Sequence, residues 1–423
     1  MIQTIEATTF EKYPAYKDSG VEWIGEIPTE WNILPAKRFH QVIKELNLKR
    51  QCNNILSLTL RGVVNNNPDS PEGLVPKDYA TYQIFQKNDL VFKLIDLENI
   101  STSRVGLVHE KGIMSSAYIR LVIGDNCLSK FAYYFYFSLY KNEVYNKLGS
   151  GVRSTLGPND LLNLSFLKPS FEEQIAIANF LDNKTSKIDT AIAQKEQMIA
   201  LLKERKQIII QNAVTGKWSM MNGEWSMTPR EKMKDSGVEW IGEIPEHWEV
   251  KALKYIATLE SGDTISSESF VSEGYPVYGG NGFRGYAQTY TNDGHYSLIG
   301  RQGALCGNVN YAKGKFFASE HAIVVYHKQG VNVTWLGETI KVADFNRLSQ
   351  SAAQPGIAVN VIKNVLFPYP SFDEQNRIEL YINTQSTKID RAISLQQSQI
   401  EKLKEYKATL IDGAVTGKIM VNG

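Results

Sequence analysis

Ile188-x-x-x-Ile192-x-x-Lys195-x-x-x-Ile199-x-x-Leu202-x-x-x-Lys206-x-x-Ile209 alternates steps of four and three, the heptad spacing that keeps one stripe of a helix turned toward a partner helix. The same ladder returns as Ile389, Ile393, Gln396, Ile400, Leu403, Lys407 and Leu410, displaced by 201 residues at every rung. Both copies break the apolar seam at matching rungs, Lys195 against Gln396 and Lys206 against Lys407. Polar groups at such positions cost stability and fix register. The spacing predicts two antiparallel helices of one chain forming an intramolecular coiled coil.

Working outward, a second repeat flanks the first. Lys17-Asp18-Ser19-Gly20-Val21-Glu22-Trp23-Ile24-Gly25-Glu26-Ile27-Pro28 recurs unchanged as Lys234 to Pro245, and Trp31 recurs as Trp248, all displaced by 217. The chain is therefore two tandem copies of one plan: an aromatic-glycine motif, a dissimilar body of about 130 residues, and a long helix. The fall in displacement from 217 to 201 makes the second body 16 residues shorter. Repeated scaffold around unlike bodies predicts one task performed on two targets.

Short strands are expected at 55–60, 89–94, 103–108 and 116–123 of the first body, with a helix over 128–148. In the second body they are expected at 275–280, 296–300, 307–311 and 321–326, between glycine-rich turns such as Gly279-Gly280-Asn281-Gly282. Both bodies close on Pro-Ser-Phe-acid-Glu-Gln, and Ser170 with Glu173, like Ser371 with Glu374, has the spacing of a capping box. A second cap pattern at Ser186/Asp189 and Thr387/Asp390 follows weak helix formers, so a short helix is expected to break before each long one. Gly216 and Gly417 are expected at the left-handed residue that ends each long helix. Residues 218–233, polar and Met-rich, read as a surface linker. The fold class is mixed α/β (α+β): two globular domains and two long helices in a pseudo-twofold internal repeat.

The 423 residues exceed one core and suggest two or three domains, and 43% hydrophobic with 22% charged residues is a globular composition. Net charge is +1 overall, but residues 36–168 carry about +6 and 249–369 about +1, which favours an anionic partner for the first body. Cys52, Cys127 and Cys306 are odd in number and lack metal-type spacing, as expected in a reducing compartment. No run of eighteen apolar residues and no leader pattern at Met1 occur, so the expected location is the cytoplasm.

Catalytic equipment is not found. Gly413-x-x-x-Gly417-Lys418 is one residue short of a phosphate loop and ends a helix where such a loop must begin one. No Asn-Pro-Pro-aromatic stretch and no Gly-x-Gly-x-x-Gly occur, and none of the six histidines has a metal-ligand neighbour at useful spacing. We expect no catalytic residue and no metal site. What remains are polar, basic and aromatic side chains at turns of both bodies. In the first these are Arg61, Lys93, Arg104, Tyr118 and Arg153. In the second they are Asn281, Arg284, Arg301, Gln302, His321 and Gln354. Arg, Gln and Asn can read base edges through paired hydrogen bonds, and adjacent glycines allow close backbone approach to a phosphate. His321, beside Glu320 and before the apolar Ile323-Val324-Val325, is most simply read as a strand-edge residue, with a direct ligand role the minority reading. A single loop Arg is ordinarily only solvated; recurrence on both bodies is what distinguishes the set.

The motif Gly20 to Pro28, the junctions ending at Gln174 and Gln375, and the helix starts Lys187-Ile188-Asp189 and Lys388-Ile389-Asp390 together resemble the specificity subunits of type I restriction-modification systems, over essentially the whole chain. The resemblance implies target recognition domains within residues 1–168 and 218–369, each reading one half of a split DNA sequence. It implies conserved helical regions at 169–217 and 370–423 that space the domains and dock partners. It further implies a non-catalytic chain that binds no cofactor itself. Two modification subunits would use S-adenosylmethionine to methylate adenine, and restriction subunits would use ATP and Mg. A long helix over 186–211 would measure about 39 Å, near the ~34–36 Å between half-sites one DNA turn apart. The competing reading is a coiled-coil scaffold with two protein-binding domains and no DNA recognition; salt-sensitive binding to duplex DNA separates the two.

Overall fold

The computed structural model describes residues 10–67, 78–98, 102–149, 154–221, 223–303, 305–349 and 356–421. The chain divides into two compact units, Met1–Lys195 with Ser398–Gly423, and Glu196–Gln397. The first long helix runs Phe171–Val214 and the second Phe372–Val415, 44 residues each. Each helix thus gives its first half to one unit and its second half to the other.

The expected break before each long helix is absent. Two or three weak helix formers cost only tenths of a kcal/mol each, about 0.5 at most. Packing outweighs this: Leu181 and Thr185 are buried, Tyr134 donates to Asp182 Oδ1 at 2.8 Å, and Lys130 pairs with Asp182. Each helix is therefore about 66 Å long at ~1.5 Å per residue rather than 39 Å.

Both units are built on one frame. In the first, Asn32–Pro35 pairs antiparallel with Ser165–Lys168; in the second, Glu249–Ala252 pairs with Leu366–Tyr369. The body is thus an insertion between two paired strands. Ser170 and Glu173 close the capping box, with Glu173 N–H donating to Ser170 Oγ at 3.2 Å and Ser170 N–H to Glu173 Oε2 at 3.3 Å. The free oxygen of that carboxylate, Oε1, accepts the indole N–H of Trp31 at 3.2 Å; Glu374 does the same for Trp248 at 3.1 Å. The neighbouring Gln is fully buried and ties body to helix: Leu128 N–H donates to Gln174 Oε1, and Asn332 N–H to Gln375 Oε1, both at 2.8 Å. The Glu-Gln pair of each junction is thereby accounted for, one residue capping and pinning Trp, the other holding the start of the body's helix.

Each core joins the aromatic-glycine motif to both long helices. Ile24, Ile27 and Trp31 pack with Ile177 and Leu181 of the first helix and Leu410, Ile411 and Ala414 of the second. Ile241, Ile244 and Trp248 pack with Ile210, Ala213 and Val214 of the first and Ile378 and Ile382 of the second. Gly417 and Gly216 end the helices at φ +74° and +73°. A Cβ at Gly216 would lie 2.3 Å from Pro245 Cδ, and one at Gly417 2.3 Å from Pro28 Cδ.

Along the seam every rung is buried or half-buried. In the first unit these are Ile188, Ile192, Leu403 and Leu410; in the second, Ile199, Leu202, Ile209, Ile389 and Ile393; Ile400 is also buried. The seam lysines pair with acids of the opposite helix, Lys407 with Asp189 in one unit and Lys206 with Asp390 in the other, which makes the helices antiparallel.

The first body holds a four-stranded antiparallel sheet ordered His40–Val42, Ile119–Ile123, Leu90–Phe92, Val105–Leu107, covered by the aromatic-rich helix Ser129–Lys141. The second holds a seven-stranded sheet, antiparallel except where Tyr275–Gly279 runs parallel to Val309–Ala318. Two stretches expected as loop or linker are strands. Gly282–Ala287 is a strand, not a loop. The linker folds as a hairpin, Trp218–Met221 with Glu224–Met227, because Trp225 stacks on Tyr381 with ring centroids 4.2 Å apart.

Candidate nucleic-acid interface

In the second body four of the predicted side chains converge. Asn281, Arg284, Gln302 and His321 line one open cleft of about 520 Å³, with Phe283 and the glycines 280, 282 and 303. The sheet explains the convergence: the tight turn between Tyr275–Gly279 and Gly282–Ala287 meets the ends of Asn292–Gly300 and Ala322–His327. Gly280 and Gly300 let these backbones touch, since a Cβ on Gly300 would lie 2.4 Å from Gly280 O. Arg284 lies over the Phe270 ring, 5.6 Å from its centroid, which keeps the guanidinium extended beside the cleft. Asn308 Nδ2 donates to Asn281 Oδ1 at 3.4 Å, and His321 Nδ1 lies 3.1 Å from Gln302 Oε1. Arg301 is half-buried, and its backbone bonds to His321 and Ile357. Gln354 lies outside the described residues.

The first body disperses its candidates. Arg61 is exposed at the tip of the hairpin Leu56–Thr59 with Gly62–Asn65, its N–H donating to Thr59 Oγ1 at 3.1 Å. Tyr118 lines a smaller cleft of about 270 Å³ with Lys44, Gln83, Ile95 and Thr155, and burial pushes its hydroxyl up, so it stays a donor. Lys93 is half-buried just after a strand. Arg104 is 1% exposed, and its Nη2 donates to the backbone oxygens of Asp96 and Leu97 at 3.1 and 2.6 Å. Its guanidinium ties an interior loop; a buried Arg beside a Ser-rich turn cannot be distinguished from an exposed one by sequence. Arg153 lies outside the described residues.

Two residues at the second cleft were not among the expected site residues. Phe283, 55% exposed, lines the cleft and offers an apolar face, and Glu320, behind the lining, lies 3.1 Å from His321 through Oε1 and Nε2. The adjacency of Glu320 and His321 was the available signal. Among the described residues no group of His, Cys, Asp and Glu is placed to hold a metal ion, and no helix is long and apolar enough to cross a membrane.

Two unlike α/β bodies, each inserted in the same helix-capped frame and each presenting polar loops, define a modular recognition protein. The sequence profile described as the type I restriction modification DNA specificity domain matches residues 61–200 and again 245–405. The chain belongs to this specificity family, whose members are recognition components without a catalytic step of their own. It is 39% identical over 130 residues to the type I restriction enzyme EcoprrI specificity subunit of Escherichia coli, a match spanning 30% of this chain and only 32% of that one. With the MjaVIII specificity subunit of Methanocaldococcus jannaschii it shares 24% identity over 373 residues, 80% of each chain. A chain solved in work on complex assembly and conformational transition of the type I R-M system shares the fold, with TM-score 0.67, 15% identity, and 92% of this chain and 98% of that one covered.

Proposed function

We propose that this chain selects the DNA sequence acted on by a type I restriction-modification complex, one half of a split target being read by each body. The recognition domains lie within residues 1–168 and 218–369, and the helical regions 169–217 and 370–423 dock partner subunits. Two modification subunits bind each chain and methylate adenine with S-adenosylmethionine; restriction subunits add ATP- and Mg-dependent cleavage. The observation that carries this reading is the convergence of Asn281, Arg284, Gln302 and His321 on one glycine-floored cleft, in a chain that matches the specificity profile once per body. Side chains able to make paired hydrogen bonds, on backbone that admits close approach, are what base-edge reading needs. Salt-dependent phosphate contacts supply most of the affinity, and here the more basic first body contributes the larger share.

The test is single-molecule sequencing of DNA from a methylation-free host that expresses this chain with the modification subunit of the same system. A new methyl-adenine motif in two parts, separated by a fixed run of unread bases, is the expected result. A soluble complex that leaves no such motif overturns the reading.

A further inference from the structure

Three contacts in series meet at the second cleft. Ile265 N–H donates to Glu320 Oε2 at 3.4 Å, Glu320 Oε1 lies 3.1 Å from His321 Nε2, and His321 Nδ1 lies 3.1 Å from Gln302 Oε1. A carboxylate can only accept, so His321 Nε2–H donates to Glu320, and the imidazole so anchored meets the Gln302 amide through Nδ1.

The backbone under Gln302 is fixed as firmly. Arg301 N–H donates to His321 O, Ile357 N–H donates to Arg301 O, both at 2.9 Å, and Gln302 forms an antiparallel bridge with Gly356. Gln302 is nevertheless exposed. An exposed Gln normally samples many rotamers and loses affinity when it must be ordered on binding. Here both the main chain and the amide orientation are set beforehand. Because the amide is planar, holding one end of it against the ring turns the other end away from the ring.

We infer that Gln302 is a specificity-determining residue for the half-site read by the second body, and that His321 is its positioning residue, holding the amide in one orientation toward a base edge. This rests on the DNA-reading function proposed above. In the major groove guanine and thymine offer acceptors, cytosine offers a donor and adenine offers both. An amide held in one orientation presents either its NH2 or its oxygen, and so refuses the bases that lack the counterpart. Without His321 the amide can turn over, so a refused base becomes acceptable at that position.

The experiment uses the assembled complex in a methylation-free host, with the methylated motif sequenced for the wild type, Gln302→Ala, His321→Ala, His321→Asn and the double Ala variant. A wild type that gives no two-part motif overturns the DNA-reading function and this inference together. With a motif in hand, Gln302→Ala relaxes one position of one half. His321→Ala admits at that same position a base the wild type refuses, with discrimination reduced at least about tenfold. The double variant is no more relaxed than Gln302→Ala, and His321→Asn, which keeps a hydrogen-bonding group near the Nδ1 position, retains the wild-type motif. Relaxation at two separate positions, changes in both halves, an unaltered motif in either Ala variant, or no rescue by Asn overturns the inference while leaving the function standing.

Discussion

Lys407 Nζ lies 2.7 Å from both carboxylate oxygens of Asp189, so a seam position that could hold an apolar side chain instead ties one long helix to the other. Lys206 repeats the contact on Asp390 at 2.9 and 2.7 Å. The acids are more than half exposed and the lysines about one-quarter, so the direct contribution to stability is small, roughly 0–1 kcal/mol per pair. Their consequence is register. Changing both lysines to Leu is expected to raise the unfolding free energy by roughly 1 kcal/mol per site, read as a higher urea midpoint, while broadening the size-exclusion profile as other registers and oligomers compete. A sharper, purely monomeric profile would refute the register role.

Glu173 joins two functions in one carboxylate, helix cap and partner of the Trp31 indole. Glu173→Ala leaves a buried N–H unsatisfied and uncaps the helix, with an expected cost of about 2–4 kcal/mol. Chemical denaturation followed by tryptophan fluorescence reads the loss, and Trp31→Phe in the same background should add less than it does alone.

Gly216→Ala and Gly417→Ala test the close approach of helix end to Pro-Trp motif. Both positions combine positive φ with a Cβ clash of 2.3 Å on proline, and each substitution is expected to cost about 1–3 kcal/mol or more. Hydrogen exchange should localise the first to unit Glu196–Gln397 and the second to the other unit.

His40 gives the fold an acid limit. Its ring is 2% exposed, 4.6 Å between centroids from Phe166, and burial pushes it down to about 4, only partly offset by the Phe39 backbone. The folded state binds this proton more weakly than the unfolded chain, whose His titrates near 6.5. Stability is therefore full above about pH 6.5 and falls as pH drops toward 4, with a loss on the order of 2 kcal/mol by pH 5. In His40→Phe the urea midpoint should lose most of that slope; an unchanged slope would assign the acid sensitivity elsewhere.

Half-site independence is tested by Arg61→Ala and Arg301→Ala. The first should weaken or relax only one half of the methylated motif and the second only the other half, each by a factor of about 5–100 if a base contact is lost. Arg104→Ala, by contrast, should lower stability without altering the motif, because its guanidinium is spent on interior carbonyls.

Periodicity and repetition carried much of the fold. The heptad ladders, the capping Ser and Glu residues and the terminal Gly216 and Gly417 are local signals whose physics is complete within a few residues. The continuous helix through residues 183–186 was not legible, since what overrides the weak formers there is packing against residues some fifty positions earlier in sequence. The Trp218–Met227 hairpin was hidden similarly: its partner Tyr381 lies more than 150 residues away. In the second body the cleft residues could be named but not assembled, because a seven-stranded order is what brings residues 281, 302 and 321 together. Arg104 shows the opposite failure, a residue of the right type whose burial no local pattern reveals.

Because each 44-residue helix begins in one compact unit and ends in the other, the first unit is assembled from two separate stretches of gene, Met1–Lys195 and Ser398–Gly423, and the second, Glu196–Gln397, begins and ends inside a helix. A stop codon between the bodies removes Ser398–Gly423 from the very unit it seems to spare, and a fragment starting there lacks the helical segment that opens the second unit, so a cut at that point leaves neither unit whole. Exchanging a body between its paired closing strands leaves the contacts between the two long helices in place. The natural boundary for exchange in this architecture is the body, not the midpoint of the chain.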